Sequence, residues 1–196
     1  MDFHIRPADA KDMPAILALQ ALSLRALSAQ TYSAAQIESL VRSQGAARVA
    51  SFNAGDEVIY VACLGAEQHG ATQLIGVVAF IAWRSQIGGL FVHPGYVRRG
   101  VARALMGQVE LIAAQQQQSV MRVMSSLVAV PFYEAVGYSH LFSRTVCFED
   151  SPVGCVEMAK TLDGQNLQAL LLRQKLWTVG LVASSLMFVI VAVTLR

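Results

Sequence analysis

The sequence predicts an α/β domain, with a mixed central sheet of six to seven strands flanked by helices and one transmembrane helix behind it. Three observations carry this reading. Runs rich in β-branched and aromatic residues alternate with runs of helical periodicity, so some strands are joined by helical crossovers and the sheet must contain a parallel pair. A turn rich in glycine and arginine, HPGYVRRGVARALM at 93–106, stands between a strand and a helix. The excess of apolar residues, 55% against 14% charged, is concentrated at the C-terminal end.

The elements follow in order. FHIRPA alternates as a short first strand, and Asp9 or Asp12 can cap a helix running to about Ala26. Ser33 is the expected N-cap of a second helix, SAAQIESLVRSQ. EVIYVACLG (57–65), LIGVVAFIAW (74–83) and QIGGLFV (86–92) read as a three-stranded meander. A helix runs from about Gly100 to Gln117, and VMRVMSS (120–126) returns as a strand. VPFYEAVGY (130–138) is a short helix with Gly137 as a left-handed C-cap. Two last strands, about 140–148 and 153–160, form a hairpin.

The chain divides into a domain over 1–163, a linker over 164–175 and a transmembrane helix over 176–195. That last segment, LWTVGLVASSLMFVIVAVTL, is 20 residues without a charge. A helix of this length spans roughly 30 Å, the thickness of a hydrocarbon core. Arg173 and Lys175 precede it and Arg196 follows, a bias that places the domain on the cytoplasmic side. Gly180 and Ser184 give a small-xxx-small spacing compatible with helix pairing and a homodimer. The N-terminus has no basic segment followed by an apolar run, so no secretion signal is expected.

Residues 1–165 carry 12 Lys and Arg against 13 Asp and Glu, so the net charge of +2 comes from the tail flanks. That excludes the broad basic face a nucleic-acid binder needs. Cys63, Cys147 and Cys155 are odd in number, have no CxxC spacing and are expected as thiols. Whether Cys147 and Cys155 face each other across the last hairpin is left open. The four histidines have no metal-ligand spacing, and no metal is expected.

Why would a chain put Arg98, Arg99 and Gly100 at the first turn of a helix? A helix N-terminus leaves backbone N–H groups without partners, and the macrodipole places partial positive charge there. Gly100 and the small Ala102 allow close approach, and Arg98, Arg99 and Arg103 add cations. The combination suits a phosphate at the C-terminal end of the preceding strand. It is neither a Walker loop nor a dinucleotide GxGxxG. A capped helix with surface arginines is the plainer alternative.

GLFVHPGYVRRGVARALM, followed by VPFYEAVGY, resembles the GNAT superfamily of acetyl-CoA-dependent N-acyltransferases. IRPA and VEMAKTL are similar to the family's first and last strands, and the resemblance covers about 2–163. It implies a GNAT fold, acetyl-CoA as co-substrate and an amine as acceptor. It implies that the CoA pyrophosphate lies on Val97, Arg98, Arg99, Gly100, Val101, Ala102 and Arg103. It further implies that the fourth strand, Gly88–Val92, parts from the fifth, Val120–Ser125. Backbone groups of Phe91 and Val92 would then hold the pantetheine arm, and an N–H near Val92 would polarise the thioester carbonyl. Tyr133 is the implied general acid toward the leaving thiolate.

Three positions depart from the family pattern. Val97 stands where Gln or Arg begins the phosphate loop, and Val128 where many relatives have an Asn that contacts CoA. Gly88 and Gly89 stand where many relatives carry a glutamate base. Glu57, Glu67, His69 and Glu134 are the available bases, each expected as a solvated surface residue; a water chain or an already neutral amine could serve instead. These departures leave two other readings, an acyl-CoA-binding module without turnover and a membrane adaptor. Tyr32, Trp83 and Phe142 could line an acceptor pocket or simply pack. The acceptor itself, a small amine, an amino acid or a protein amine, is not decided by the sequence.

Overall fold

The computed structural model describes residues 2–65, 73–149, 151–164 and 167. The chain separates into a compact unit over Met1–Leu162 and a second unit over Asp163–Arg196. Nearly all of the second unit, including the expected transmembrane helix at 176–195 with Gly180 and Ser184, lies outside the described residues, as do Glu67 and His69. Among the described residues no helix is long and apolar enough to cross a membrane.

The first unit is built on seven strands: β1 (His4–Pro7), β2 (Val58–Leu64), β3 (Gln73–Ile81), β4 (Gln86–Val92), β5 (Val120–Ser126), β6 (Ser139–Phe148) and β7 (Ser151–Thr161). Their order in the sheet is β1-β2-β3-β4-β5-β7-β6. Every pairing is antiparallel except β4 with β5, which is parallel. Among the described residues of this unit there are four α-helices: α1 (Met13–Ser28), α2 (Ala34–Ala54), α3 (Val101–Gln115) and α4 (Val130–Ala135). Because β4 and β5 run in the same direction, the chain must cross over between them, and α3 is that crossover.

The sheet has a core on each face. Leu105, Met106, Val109 and Ala113 of α3 pack with Ile75, Phe80, Ile87, Met121 and Met158 on one side. Ile16 and Leu19 of α1 pack with Ile59, Val61 and Val77 on the other. Leu24, Tyr32, Ile37 and Leu40 extend this second core over Val153 and Cys155 of β7. The central strands are therefore covered on both faces, which explains their nearly unbroken apolar runs.

The N-cap signal of α2 acts as the sequence indicates, whereas Asp9 caps a short 3-10 turn at Ala10–Asp12 and Asp12 makes no side-chain cap to α1. Ser33 caps α2 in a reciprocal box with Gln36, and Gly55 closes the helix at φ 74. The helix runs to Ala54, well past Gln44, because its inner face continues to bury groups through Arg48. Tyr32 is a buried latch: its hydroxyl donates to the Gly154 carbonyl at 2.8 Å and accepts from the Leu127 N–H at 2.8 Å. Cys147 pairs with Pro152 and Cys155 with Arg144 across the last hairpin, so the two thiols do not face each other.

Two bulges shape the sheet's centre. Ala62 faces Gly76 and Cys63 faces Leu74, which makes Ile75 the extra residue of β3. A Cβ on Gly76 would lie 2.6 Å from Val101 and 2.9 Å from Leu105, so glycine is what lets the first turn of α3 approach the sheet. Ala79 faces Gly89 and Phe80 faces Ile87, which makes Gly88 the extra residue of β4. Only Gln86 and Ile87 of β4 pair with β5, at Arg122 and Val123. From Gly88 onward the two strands part.

At the N-terminal edge, Asp12 accepts from both Arg6 guanidinium nitrogens, at 2.6 and 2.9 Å, and from the Asp9 N–H at 3.0 Å. The Arg6 hydrogen bonds hold the Asp12 carboxyl below its ordinary pKa. A depressed folded pKa gives stability that is complete above the unfolded value, about 3.9, and is lost as pH falls through the folded one. Asp12→Asn should therefore cost about 1–3 kcal/mol in urea unfolding at pH 7. The difference from the unaltered chain should shrink below about pH 4. A pH-independent difference would remove the ion pair as its cause.

Candidate active site

The parted ends of β4 and β5 open a cleft of about 780 Å³. Such a crevice, outside the carboxyl ends of parallel strands, is where an open α/β sheet binds its ligand. Leu90 and Val92 form the β4 wall, and Val128, Ala129, Pro131, Phe132 and Tyr133 form the wall after β5. Val97, Arg98, Gly100, Val101, Ala102 and Arg103 close one end, and Ser23 and Leu27 of α1 lie at the rim.

The turn into α3 is shaped for an anion. Arg98 has φ 62 and Gly100 φ 85, both left-handed, so the chain doubles back sharply before the helix starts. No side chain caps α3, which leaves its first N–H groups available. His93 steadies the preceding turn, its Nδ1 accepting from the Gly95 N–H at 3.1 Å. Among the described residues, two arginines and no acidic side chain line the cleft, so its field favours negative charge.

Eight of the residues singled out from the sequence meet in this cleft: Val92, Val97, Arg98, Gly100, Val101, Ala102, Arg103 and Tyr133. Two do not line it. Arg99 is not among its lining residues, although its guanidinium lies 5.5 Å from the ring centre of Tyr96, which is. The Phe91 side chain packs into the cores beneath α1 and α2, because its pleat position faces opposite to Leu90 and Val92. Only the backbone of Phe91 remains available to the cleft.

Tyr133 is buried, with its ring edge-on to Phe132 at 5.3 Å and to Tyr138 at 5.5 Å. Burial pushes its phenol pKa well above the ordinary value. Behind it, burial and then the charge of Glu110 push Tyr138 up as well. Both phenols therefore hold their protons at neutral pH. Among the described residues no three His, Cys, Asp or Glu side chains gather as a metal site.

Several site features were not legible beforehand. Ser23 and Leu27 enter from α1, and nothing in their helical pattern marks them. Glu57, expected as a surface residue, is buried: its side chain is 4% exposed and ion-paired to Arg48, also 4% exposed. Trp83 is 68% exposed and Phe142 50% exposed, and neither lines the cleft. Glu134 on α4 is exposed.

Parted parallel strands, an uncapped crossover helix and a buried phenol thus meet at one cleft. The Acetyltransferase (GNAT) domain family model matches residues 28–162, more than half of the chain. The chain belongs to the GNAT acetyltransferase family, and acetyl-CoA fits as its co-substrate. Among solved structures, a GCN5-related N-acetyltransferase from Rhodopseudomonas palustris is 25% identical with a TM-score of 0.72, covering 82% of this chain and 96% of that one. The PaiA N-acetyltransferase from Thermoplasma acidophilum, in complex with coenzyme A, is 20% identical with a TM-score of 0.64 over 82% and 99% of the two chains. The ribosomal-protein-S18-alanine N-acetyltransferase from Escherichia coli is 15% identical with a TM-score of 0.59 over 85% and 97%. Among curated proteins none matches.

The turn yields a paired prediction. Space around a Cβ at Gly100 is open, but its φ of 85 strains any L side chain. Gly100→Ala should cost about 1–2 kcal/mol of stability from backbone strain and retain most acetyl-CoA affinity. Gly100→Glu should weaken that affinity by at least about tenfold more, because it adds a negative charge at the anion site. Isothermal calorimetry on the two variants checks this; equal affinities would show that the turn holds no phosphate.

Proposed function

We propose that this protein transfers the acetyl group of acetyl-CoA to a primary amine, by direct attack of the amine while both substrates are bound. The parting of β4 from β5 after Ile87 is the observation that carries this reading. It exposes a strand edge that an extended pantetheine arm can pair with, the way added strands are recognised elsewhere. The N–H groups at the start of α3, with Arg98 and Arg103, would hold the pyrophosphate. A backbone N–H near Val92 would polarise the acetyl carbonyl. Acetyl-CoA itself supplies the activated acetyl thioester.

Tyr133 would give its proton to the sulfur as the C–S bond breaks. A phenol with a raised pKa is a weaker acid, but the same burial raises the proton affinity of a thiolate beside it. The difference between the two therefore stays small enough for transfer. The acceptor amine would arrive neutral or lose a proton to water, since among the described residues no carboxylate or imidazole lines the cleft. Among the described residues the cleft also carries none of the acidic side chains that a polycationic acceptor would need. The PaiA relative crystallised with coenzyme A supports the cofactor assignment.

Calorimetric titration of the full-length chain with acetyl-CoA, followed by thiol-detected CoA release over an amine panel, tests this proposal. Saturable binding that desulfo-CoA competes away, with amine-dependent release, is the expected result. Tyr133→Phe should lower kcat by about 10²-fold while changing the acetyl-CoA Kd little. Full turnover in that variant would remove Tyr133 from the mechanism.

The uncharged stretch 176–195 supports a second proposal, that the protein is anchored in a membrane with its domain on the cytoplasmic side. Full-length protein should stay with membranes through an alkaline carbonate wash. Release into the wash would overturn the anchor.

A further inference from the structure

Gly88 and Gly89 sit at the point where β4 leaves β5, and neither takes a left-handed φ. Their lack of a side chain has a different cause. A Cβ on Gly88 would overlap Oε1 of Glu57, and a Cβ on Gly89 would overlap Nη2 of Arg48. The space that two strand side chains would fill is already occupied by a buried ion pair brought in from α2 and from the residue before β2. Arg48 also grips the bulge itself, its Nη2 donating to the Gly88 carbonyl at 3.2 Å.

The pair is poorly arranged for stability. Arg48 Nη1 bonds Glu57 Oε1, but Glu57 Oε2 is buried with no hydrogen-bond partner. Gln20, 2% exposed, offers Oε1 to Arg48 Nε only at 3.5 Å, and its own Nε2 is also without a partner. Desolvating two charges and leaving polar atoms unmet is unfavourable compared with apolar packing. An apolar pair would fill the volume equally well, but it could not grip a carbonyl.

We infer that Arg48 and Glu57 form a positioning wedge that fixes the Gly88 bulge and thereby holds β4 apart from β5 for the acyl-CoA arm. This rests on the acetyltransferase reading for its purpose, though not for its geometry. The wedge touches no reacting atom. It acts through the backbone of Gly88 and Gly89, so it should govern how well the strand edge receives the cofactor and affect the chemical step little.

The test replaces both charges at once, because removing one would strand the other in the core. In the full-length Arg48→Met, Glu57→Leu variant, amide NMR without cofactor should show new cross-strand contacts between β4 and β5 beyond Ile87. The acetyl-CoA KM should rise by about tenfold or more, with kcat at saturation within about threefold of the unaltered chain. If that variant does not fold, Gly88→Ala reads the same displacement with both charges kept. The exchange Glu57→Ala with Gly88→Asp, which returns a carboxylate to the same space from the strand itself, should restore the parting and the KM.

Unchanged β4–β5 contacts and unchanged KM in the charge-free variant would overturn the wedge. So would an exchange variant that folds but does no better than Glu57→Ala alone. A chain that never binds acetyl-CoA would instead refute the proposed function, and the cofactor-free contacts would still decide the wedge.

Discussion

The parting of one parallel strand pair is the constraint on which the rest of this structure depends. β4 and β5 share only two residue pairs before they separate. A sheet interior normally satisfies its backbone groups along the whole ladder, so an early separation leaves an exposed edge inside a protein. That edge is useful only if a ligand of extended backbone-like chemistry completes it. The crossover helix between the same two strands then presents its uncapped N-terminus to the same cleft. One topological choice, a single parallel pair in an otherwise antiparallel sheet, thus produces both the slot and the anion site.

Glycine placement makes this geometry affordable in several distinct ways. Gly76 admits the first turn of α3 against β3, where any Cβ would strike Val101 and Leu105. Gly100 supplies the left-handed conformation from which that helix begins. Gly88 and Gly89 make room for a guanidinium and a carboxylate. The first two reasons are close packing and backbone conformation; the third is occupation by charged side chains from elsewhere. Identical residues therefore answer to unrelated constraints.

The electrostatics divide along the sheet. Surface ion pairs such as Arg25–Glu38 and Arg42–Glu149 are exposed and contribute little. The cleft carries arginines without acidic partners among its lining residues, which suits a polyanionic substrate handle. Its other wall is apolar and carries a buried phenol, which suits a reaction that must exclude water and keep a proton in reserve. Val97 and Val128, which depart from the family pattern, add to that apolar character.

Period and punctuation determined a great deal from sequence alone. β-branched runs placed β2 to β5, Ser33 marked the start of α2, and HPGYVRRG announced the turn into α3, because these signals are local and backbone-driven; the end of α2 at Gly55 was not among them. The same turn with VPFYEAVGY carries the resemblance to the family whose model matches residues 28–162. What only the tertiary structure decided is how distant side chains share one space. Arg99 meets the Tyr96 ring, Ser23 and Leu27 arrive from α1, and Glu57 leaves the surface to meet Arg48 beneath Gly88. Each of these depends on which faces of separate elements are pressed together, and no local pattern encodes that.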